Sequence, residues 1–103
     1  MKGNFCFALL LALAPALPAA ADQTYTIVQK GRSFRPHEIV IQRGETLVFT
    51  NEDSFIHQIY SDGLFDSEER SPGENISEVF TKTGTFAVRC HIHPTMRLLV
   101  HVR

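Results

Sequence analysis

The sequence has no marked excess of either charge. Ten Lys and Arg face 11 Asp and Glu, a formal net charge of −1. Binding nucleic acid calls for a basic face that neutralises phosphates, so that class of partner is not expected. A long apolar run is missing too. The greasiest stretch, Phe5 to Leu13, falls well short of the ~20 residues that a membrane-spanning helix needs. There is no internal repeat, no low-complexity linker and no window with a helical apolar stripe; Asp66 to Arg70 has room for one turn at most. Cysteine is scarce, with only Cys6 and Cys90 in the whole chain.

Cys6 falls in a segment, Met1 to Ala21, laid out as a secretory signal peptide. Lys2 opens it, the short apolar run follows, and Pro15, Pro18 and Ala19-Ala20-Ala21 close it. Cys6 lacks the flanks of a lipoprotein cleavage site, so no lipid anchor is expected. Export to the periplasm is. Cleavage would leave one domain, residues 22–103, with nine basic and 11 acidic side chains. A chain this short has little room for a second domain or for a two-substrate enzyme with a deep cleft. Its small core gains from a staple, a metal or a partner. The lone Cys90 cannot form an internal disulfide, which leaves a metal ligand, a nucleophile, an intermolecular bridge or an inert buried thiol.

What is present is a period-two alternation broken by turns every eight to twelve residues. Strands are expected over Thr24–Gln29 with Tyr25 and Ile27 on one face, and over Glu38–Gln42 with Ile39 and Ile41. Thr46–Asn51 follows, with Leu47 and Phe49 inward, then Ile56–Tyr60, Ile76–Phe80, Thr85–Cys90 and Arg97–Val102. Arg35-Pro36-His37, Arg43-Gly44-Glu45, Asp62-Gly63, Ser71-Pro72-Gly73 and Thr83-Gly84 punctuate them. This pattern predicts an all-β, single-domain Greek-key β-sandwich. Acidic residues crowd the middle (Asp62, Asp66, Glu68, Glu69, Glu74, Glu78). They form either a solvated loop region or a patch that steers a basic partner.

The chemistry concentrates in Cys90-His91-Ile92-His93-Pro94-Thr95-Met96. A thiolate, an imidazole and a thioether lie in one short loop between two predicted strands. His57 stands at an earlier strand start, after the loop from Asn51. Were the strand ends to meet at one pole, His57, Cys90 and His93 would form a His₂Cys trigonal set with Met96 as weak axial ligand, the signature of an electron-transfer copper site. Alternation points His91 away from such a site, exposed. His37 and His101 have no partner by spacing and are expected on the surface.

These residues resemble the cupredoxins, the small type 1 (blue) copper proteins. Cys90-x-x-His93-Pro94-x-Met96 is similar to the short ligand loop of the amicyanin branch; pseudoazurin and plastocyanin space the methionine further away. Phe34-x-Pro36, Gly44-Glu45, Asn51, His57, Pro72-Gly73, Phe80, Gly84 and Phe86 extend the resemblance over nearly the whole mature chain. It implies one copper ion held by His57, Cys90, His93 and Met96. It also implies Cu(II)/Cu(I) cycling with electron transfer through the edge of His93, and an apolar collar drawn from Ile56, Ile92 and Pro94, with Pro36 or Phe55. The partners would be a donor and an acceptor redox protein, and the chain a monomeric carrier without catalytic residues. Gln58 departs from the family, which has Asn after the first histidine. So do His91, where small or hydroxyl residues are common, and Arg97-Leu98-Leu99, where glycine often follows the methionine.

Other readings compete. A copper-handling protein would sequester or deliver the ion. A Cys-and-two-His set also binds zinc, but a hydrolytic zinc site wants an open cleft and a carboxylate base, for which Glu52 and Asp53 are the near candidates, and leaves Met96 idle. A metal-free interaction module is a further possibility. A cysteine protease is excluded, because Cys90 and His93 are too close in sequence to orient each other as nucleophile and base.

Overall fold

A computed structural model describes residues 23–103; the expected signal segment, Met1 to Ala21, lies outside the described residues. Nine strands make up the described part: β1 (Thr24–Gln29), β2 (Phe34–Arg35), β3 (Glu38–Ile41), β4 (Thr46–Asn51), β5 (Ile59–Ser61), β6 (Phe65–Asp66), β7 (Asn75–Val79), β8 (Gly84–Cys90) and β9 (Arg97–Val102). They form two sheets, ordered β2-β1-β4-β7 and β3-β9-β8-β5-β6. The β1–β4 and β3–β9 pairs are parallel and the others antiparallel. The chain passes repeatedly from one sheet to the other, which gives the expected all-β sandwich.

Alternation decides which side chains fill the space between the sheets. Ile27, Leu47 and Phe49 come from one sheet, and Ile41, Ile59, Val88, Leu98, Val100 and Val102 from the other. Phe34, Phe49, Phe65 and Phe80 run through this core at ring separations of 6.0–6.3 Å, edge-to-face or tilted, as the ring quadrupole favours. Each of the fully buried side chains contributes about 1.5–3 kcal/mol of hydrophobic stabilisation; Phe65 is half-buried against them.

Differences from the sequence pattern lie where strands are short. β2 and β6 have two residues each and too little alternation to be read. β5 begins at Ile59 rather than Ile56, and β7 is shifted by one residue. His57 lies ahead of β5, in an isolated bridge with Arg70 whose two backbone hydrogen bonds measure 3.0 and 2.7 Å. The Asp66–Arg70 stretch therefore runs from β6 into this bridge.

Three connections meet at one end of the sandwich. β1 and β4 run parallel, so the turn after β1 and the loop after β4 leave from the same side. β5 pairs antiparallel with β8, Ile59 opposite Cys90, which puts the end of that second loop beside the loop after β8. The turn after β1 is a two-residue hairpin, closed by Lys30 and Ser33 exchanging backbone hydrogen bonds of 3.0 and 3.2 Å. Gly31 and Arg32 carry it at φ 65° and 54°. Two successive left-handed residues match the twist of a hairpin, and an arginine accepts that conformation only at a cost of about 1–2 kcal/mol.

Candidate metal centre

His57 and Cys90 come from two of these connections and touch. Cys90 ends β8 with its side chain inward, and both residues are 1% exposed. The Cys90 Sγ lies 3.6 Å from His57 Nδ1. The other ring nitrogen, Nε2, is 2.8 Å from Asp53 Oδ2. The carboxylate can only accept, so Nε2 carries a proton, and in the neutral ring Nδ1 turns a lone pair toward the sulfur.

The third connection brings His93 and Met96. The Met96 amide donates to the His93 carbonyl at 2.9 Å, closing a four-residue turn with Pro94 at its second position, where a fixed φ suits it. That turn folds Met96 back into the interior, 1% exposed. The His93 ring lies edge-on to His57, with centroids 5.1 Å apart, and edge-on to Phe55 at 5.8 Å. Burial lowers the His93 pKa below the ordinary histidine value, the positive charge that His57 carries when protonated and that of Arg32 add to this, and Asp53 opposes it. The shift favours the neutral ring, the form that binds a metal.

His57, Cys90 and His93 are thus neighbours, with Met96 buried in the same connection. They are not drawn into a closed cage: among the described residues, no three His, Cys, Asp or Glu side chains stand at mutual metal-binding distance. Two features nevertheless fit a metal. A nitrogen at ~2.0 Å and a sulfur at ~2.3 Å from one ion are about 3.6–3.8 Å apart, the spacing of His57 and Cys90. In addition, His93 Nε2 is buried with no hydrogen-bond partner, an expensive state for an imidazole nitrogen unless something binds the ring. Two sulfurs and two imidazoles make a soft donor set that suits copper.

The surroundings hold this group in place. The buried Asn51 side chain donates to the carbonyls of Phe55 (2.7 Å) and Arg70 (3.0 Å) and accepts from the Asp53 amide (2.9 Å). Asp53, 8% exposed, also accepts from the amides of Gly31 (2.5 Å) and Arg32 (3.0 Å). Burial by itself would raise its pKa. Hydrogen bonds from His57, Arg32 and Gly31, with the charge of His57, outweigh that and hold the carboxyl below its usual value.

The sequence carries no direct signal for Asp53 as the partner of His57; there it enters only as a possible base for zinc chemistry. Its position four residues before a candidate ligand, in a loop anchored by Asn51, is the clue available. Arg32 is equally unmarked. Its guanidinium lies 4.2 Å above the Phe55 ring. Phe55, which packs edge-on against His93, and Ile56 and Ile92, the chain neighbours of His57 and His93, are each about 40% exposed, and Pro94 and Pro36 are exposed too.

Gln58 donates through its side chain to the Ser67 carbonyl at 3.1 Å, while its own carbonyl accepts from the His91 amide at 2.8 Å, joining the two ligand-bearing connections. His91 faces outward as expected. It stacks on Tyr60 at 4.0 Å and reaches Asp66 at 3.1 Å. His101 is not without partners: it contacts Glu38 at 2.6 Å and Thr85 at 3.0 Å, because β3 and β8 flank β9. Two surface hollows, about 350 and 240 Å³, both lined by Tyr60, Ser61 and Asp62, include none of the four candidate ligands.

Comparison with known proteins agrees with this architecture. Residues 4–100 match the family model of the cupredoxin-like domain. A purple cupredoxin from Nitrosopumilus maritimus is similar in structure, with 26% identity, a TM-score of 0.72, and coverage of 77% of this chain and 99% of that one. The Cu(I) form of an amicyanin point mutant shares the fold at 22% identity and a TM-score of 0.74, with 82% and 86% covered. A copper-containing nitrite reductase from Thermus scotoductus is 28% identical with a TM-score of 0.72; the match covers 89% of this chain but 26% of that enzyme. A comparison with curated proteins gives no match. With the family model spanning nearly the whole sequence and solved cupredoxins superposing on its sandwich, the chain belongs to the cupredoxin-like family.

Proposed function

We propose that this protein is a periplasmic one-electron carrier that holds a single copper ion through His57, Cys90, His93 and Met96. The observation that carries the reading is the buried pair of His57 and Cys90, 3.6 Å apart, with the His93 ring beside it. The similarity to a purple cupredoxin and to copper forms of amicyanin supports it.

The copper, when bound, supplies the one-electron change between Cu(II) and Cu(I). The protein's residues supply the rest. Cys90, on β8, offers a thiolate that favours the reduced ion and a covalent path from the site into the strand. His57 and His93 offer neutral imidazoles acceptable to both oxidation states. Placing them on short connections between stiff strands limits how far anything moves when the charge changes. Phe55, Ile56 and Ile92 keep water from His93 and form an apolar rim on which a redox partner docks.

Although a nitrite reductase shares the fold, we read this chain as a carrier rather than an enzyme. The two surface hollows beside Tyr60, Ser61 and Asp62 are lined by none of the four proposed ligands. Its expected partners are a donor and an acceptor protein, and it acts as a monomer, exported by the segment ending at Ala21. A second reading, copper sequestration or delivery, draws on the surface-facing His91 with Asp66 at 3.1 Å. A carrier exchanges electrons quickly and keeps its metal in both states, whereas a delivery protein passes Cu(I) to an acceptor.

The test is an optical and electron paramagnetic resonance spectrum of the copper-loaded protein beside its Cys90→Ser variant. An intense visible sulfur-to-copper band that disappears in the variant is expected. A copper-loaded wild type without that band would remove the reading.

A further inference from the structure

We propose that Asp53 is a positioning residue for the metal centre: its carboxylate locks the His57 ring with Nδ1 toward the ion and biases the site toward the oxidised state. This rests on the copper reading above and adds to it a determinant of the reduction potential.

A carboxylate has room for about four donors, and Asp53 uses it on three: the Gly31 amide at 2.5 Å, the Arg32 amide at 3.0 Å and His57 Nε2 at 2.8 Å. The first two come from the left-handed pair Gly31 and Arg32, at φ 65° and 54°. Successive amides in such a turn converge on an anion, so the strained arginine conformation has a use beyond closing the hairpin. The Asp53 amide is tied in turn to Asn51 Oδ1 at 2.9 Å. The carboxylate is held from three directions, and the one side chain it holds is the His57 ring.

The ring cannot flip or change tautomer without breaking a buried charge-assisted hydrogen bond, one of the stronger kinds. A full negative charge also stands one imidazole away from the ion. That raises the basicity of the ligand nitrogen and favours the higher metal charge, as carboxylate–histidine–metal arrangements do. The same carboxylate fixes the turn that carries Arg32, whose guanidinium lies over Phe55 against His93. Asp53 therefore links the buried ligand to the rim of the site.

The experiment compares wild type with Asp53→Asn and Asp53→Ala. Asn keeps an oxygen acceptor for His57 but loses the charge; Ala loses both. Copper affinity and potential are measured on proteins whose strand content by circular dichroism matches wild type. In Asp53→Asn, Cu(II) affinity is expected to fall about 10–100-fold and Cu(I) affinity much less. The potential then rises by about 59 mV for each tenfold difference, with the visible band retained. Asp53→Ala adds altered copper hyperfine splitting from a loosened ring. An unchanged potential in a folded Asp53→Asn protein overturns the proposal. A second measurement needs neither mutant nor metal. Nitrogen NMR of metal-free wild type, recorded at a pH where the His57 ring is neutral, is expected to show its proton on Nε2 and none on Nδ1, and the opposite tautomer also overturns it. A wild type that binds no copper, yet shows the expected tautomer, would instead overturn the copper reading and with it the bias on the potential.

Discussion

Cys90 and His57, 33 positions apart, are brought within 3.6 Å by the register of β5 against β8. Ile59 pairs with Cys90 and Tyr60 with Arg89, and the His91 amide bonds to the Gln58 carbonyl just ahead of β5. A shift of one residue would turn Cys90 outward and His91 inward, since side chains alternate between faces. The buried serines oppose such a shift: Ser67 Oγ receives the Ile59 amide and Ser61 Oγ donates to the Ala87 carbonyl. The spacing of the two side chains is thus a property of the sheet more than of either loop.

Met96 is a buried core residue and a proposed copper ligand, and substitution separates the two. Met96→Leu conserves volume in a fully buried position and should cost less than about 1.5 kcal/mol, while removing the thioether. The copper-loaded protein is then expected to keep its visible band with altered band ratios and a shifted potential. Met96→Ala should cost about 2–5 kcal/mol through the cavity it leaves. Urea denaturation of the metal-free proteins reads the first effect and spectroscopy the second; identical spectra in wild type and Met96→Leu would remove Met96 from the ligand set.

Asn51→Ala would strand the Phe55 carbonyl and the Asp53 amide, and would leave the Arg70 carbonyl with the His57 amide as its donor. Each buried polar group left unpaired costs about 1–3 kcal/mol, although water can re-enter near Phe55. A total loss of about 2–4 kcal/mol is expected, read as a lower denaturation midpoint at unchanged m-value. A loss under half a kilocalorie would mean that the loop before His57 is held by other contacts.

Arg32 places a positive charge over Phe55 at the edge of the site. Arg32→Glu reverses it on an exposed side chain, so stability should change little. Oxidation of the reduced copper protein by an anionic reagent such as ferricyanide should slow several-fold at low ionic strength. The difference should shrink as salt screens the charge. Stopped-flow rates at two salt concentrations test this, and equal rates at low salt would place electron exit away from Arg32.

Glu78, half-buried on β7 opposite Leu47, has its pKa raised from the ordinary value of 4.5 by burial of the carboxylate. The folded state therefore holds this proton more tightly than the unfolded state does. This group's contribution to stability is fully present below pH 4.5 and is lost as pH rises through the raised folded value. Glu78→Gln removes that dependence, so the variant should gain on wild type as pH rises from about 4 toward 6. Denaturation midpoints across that range check it; a constant difference between the two proteins would contradict the burial of the charge.

How much is legible in the sequence differs from residue to residue. The longer strands β1, β4, β8 and β9 follow from alternation, because a half-buried strand must place every second side chain in the core. β2 and β6, with two residues each, are shaped by their neighbours and leave no period to read. His57, Cys90, His93 and Met96 stand out as metal-binding types at a telling spacing, and His91 faces outward as that alternation requires. Hydrogen bonds between distant segments have no such trace. Nothing in the chain order of Gly31, Arg32 and Asp53 says that a hairpin turn and a loop more than 20 residues later share one carboxylate.

The sequence by itself determined which residues are candidates for metal chemistry and which faces of the strands are apolar, since residue type and alternation are local properties. The tertiary structure decided which of those residues meet, which nitrogen of His57 faces Cys90, and that Asp53 takes the other. These depend on strand register and on where a turn points its amides, both set by packing across the whole sandwich.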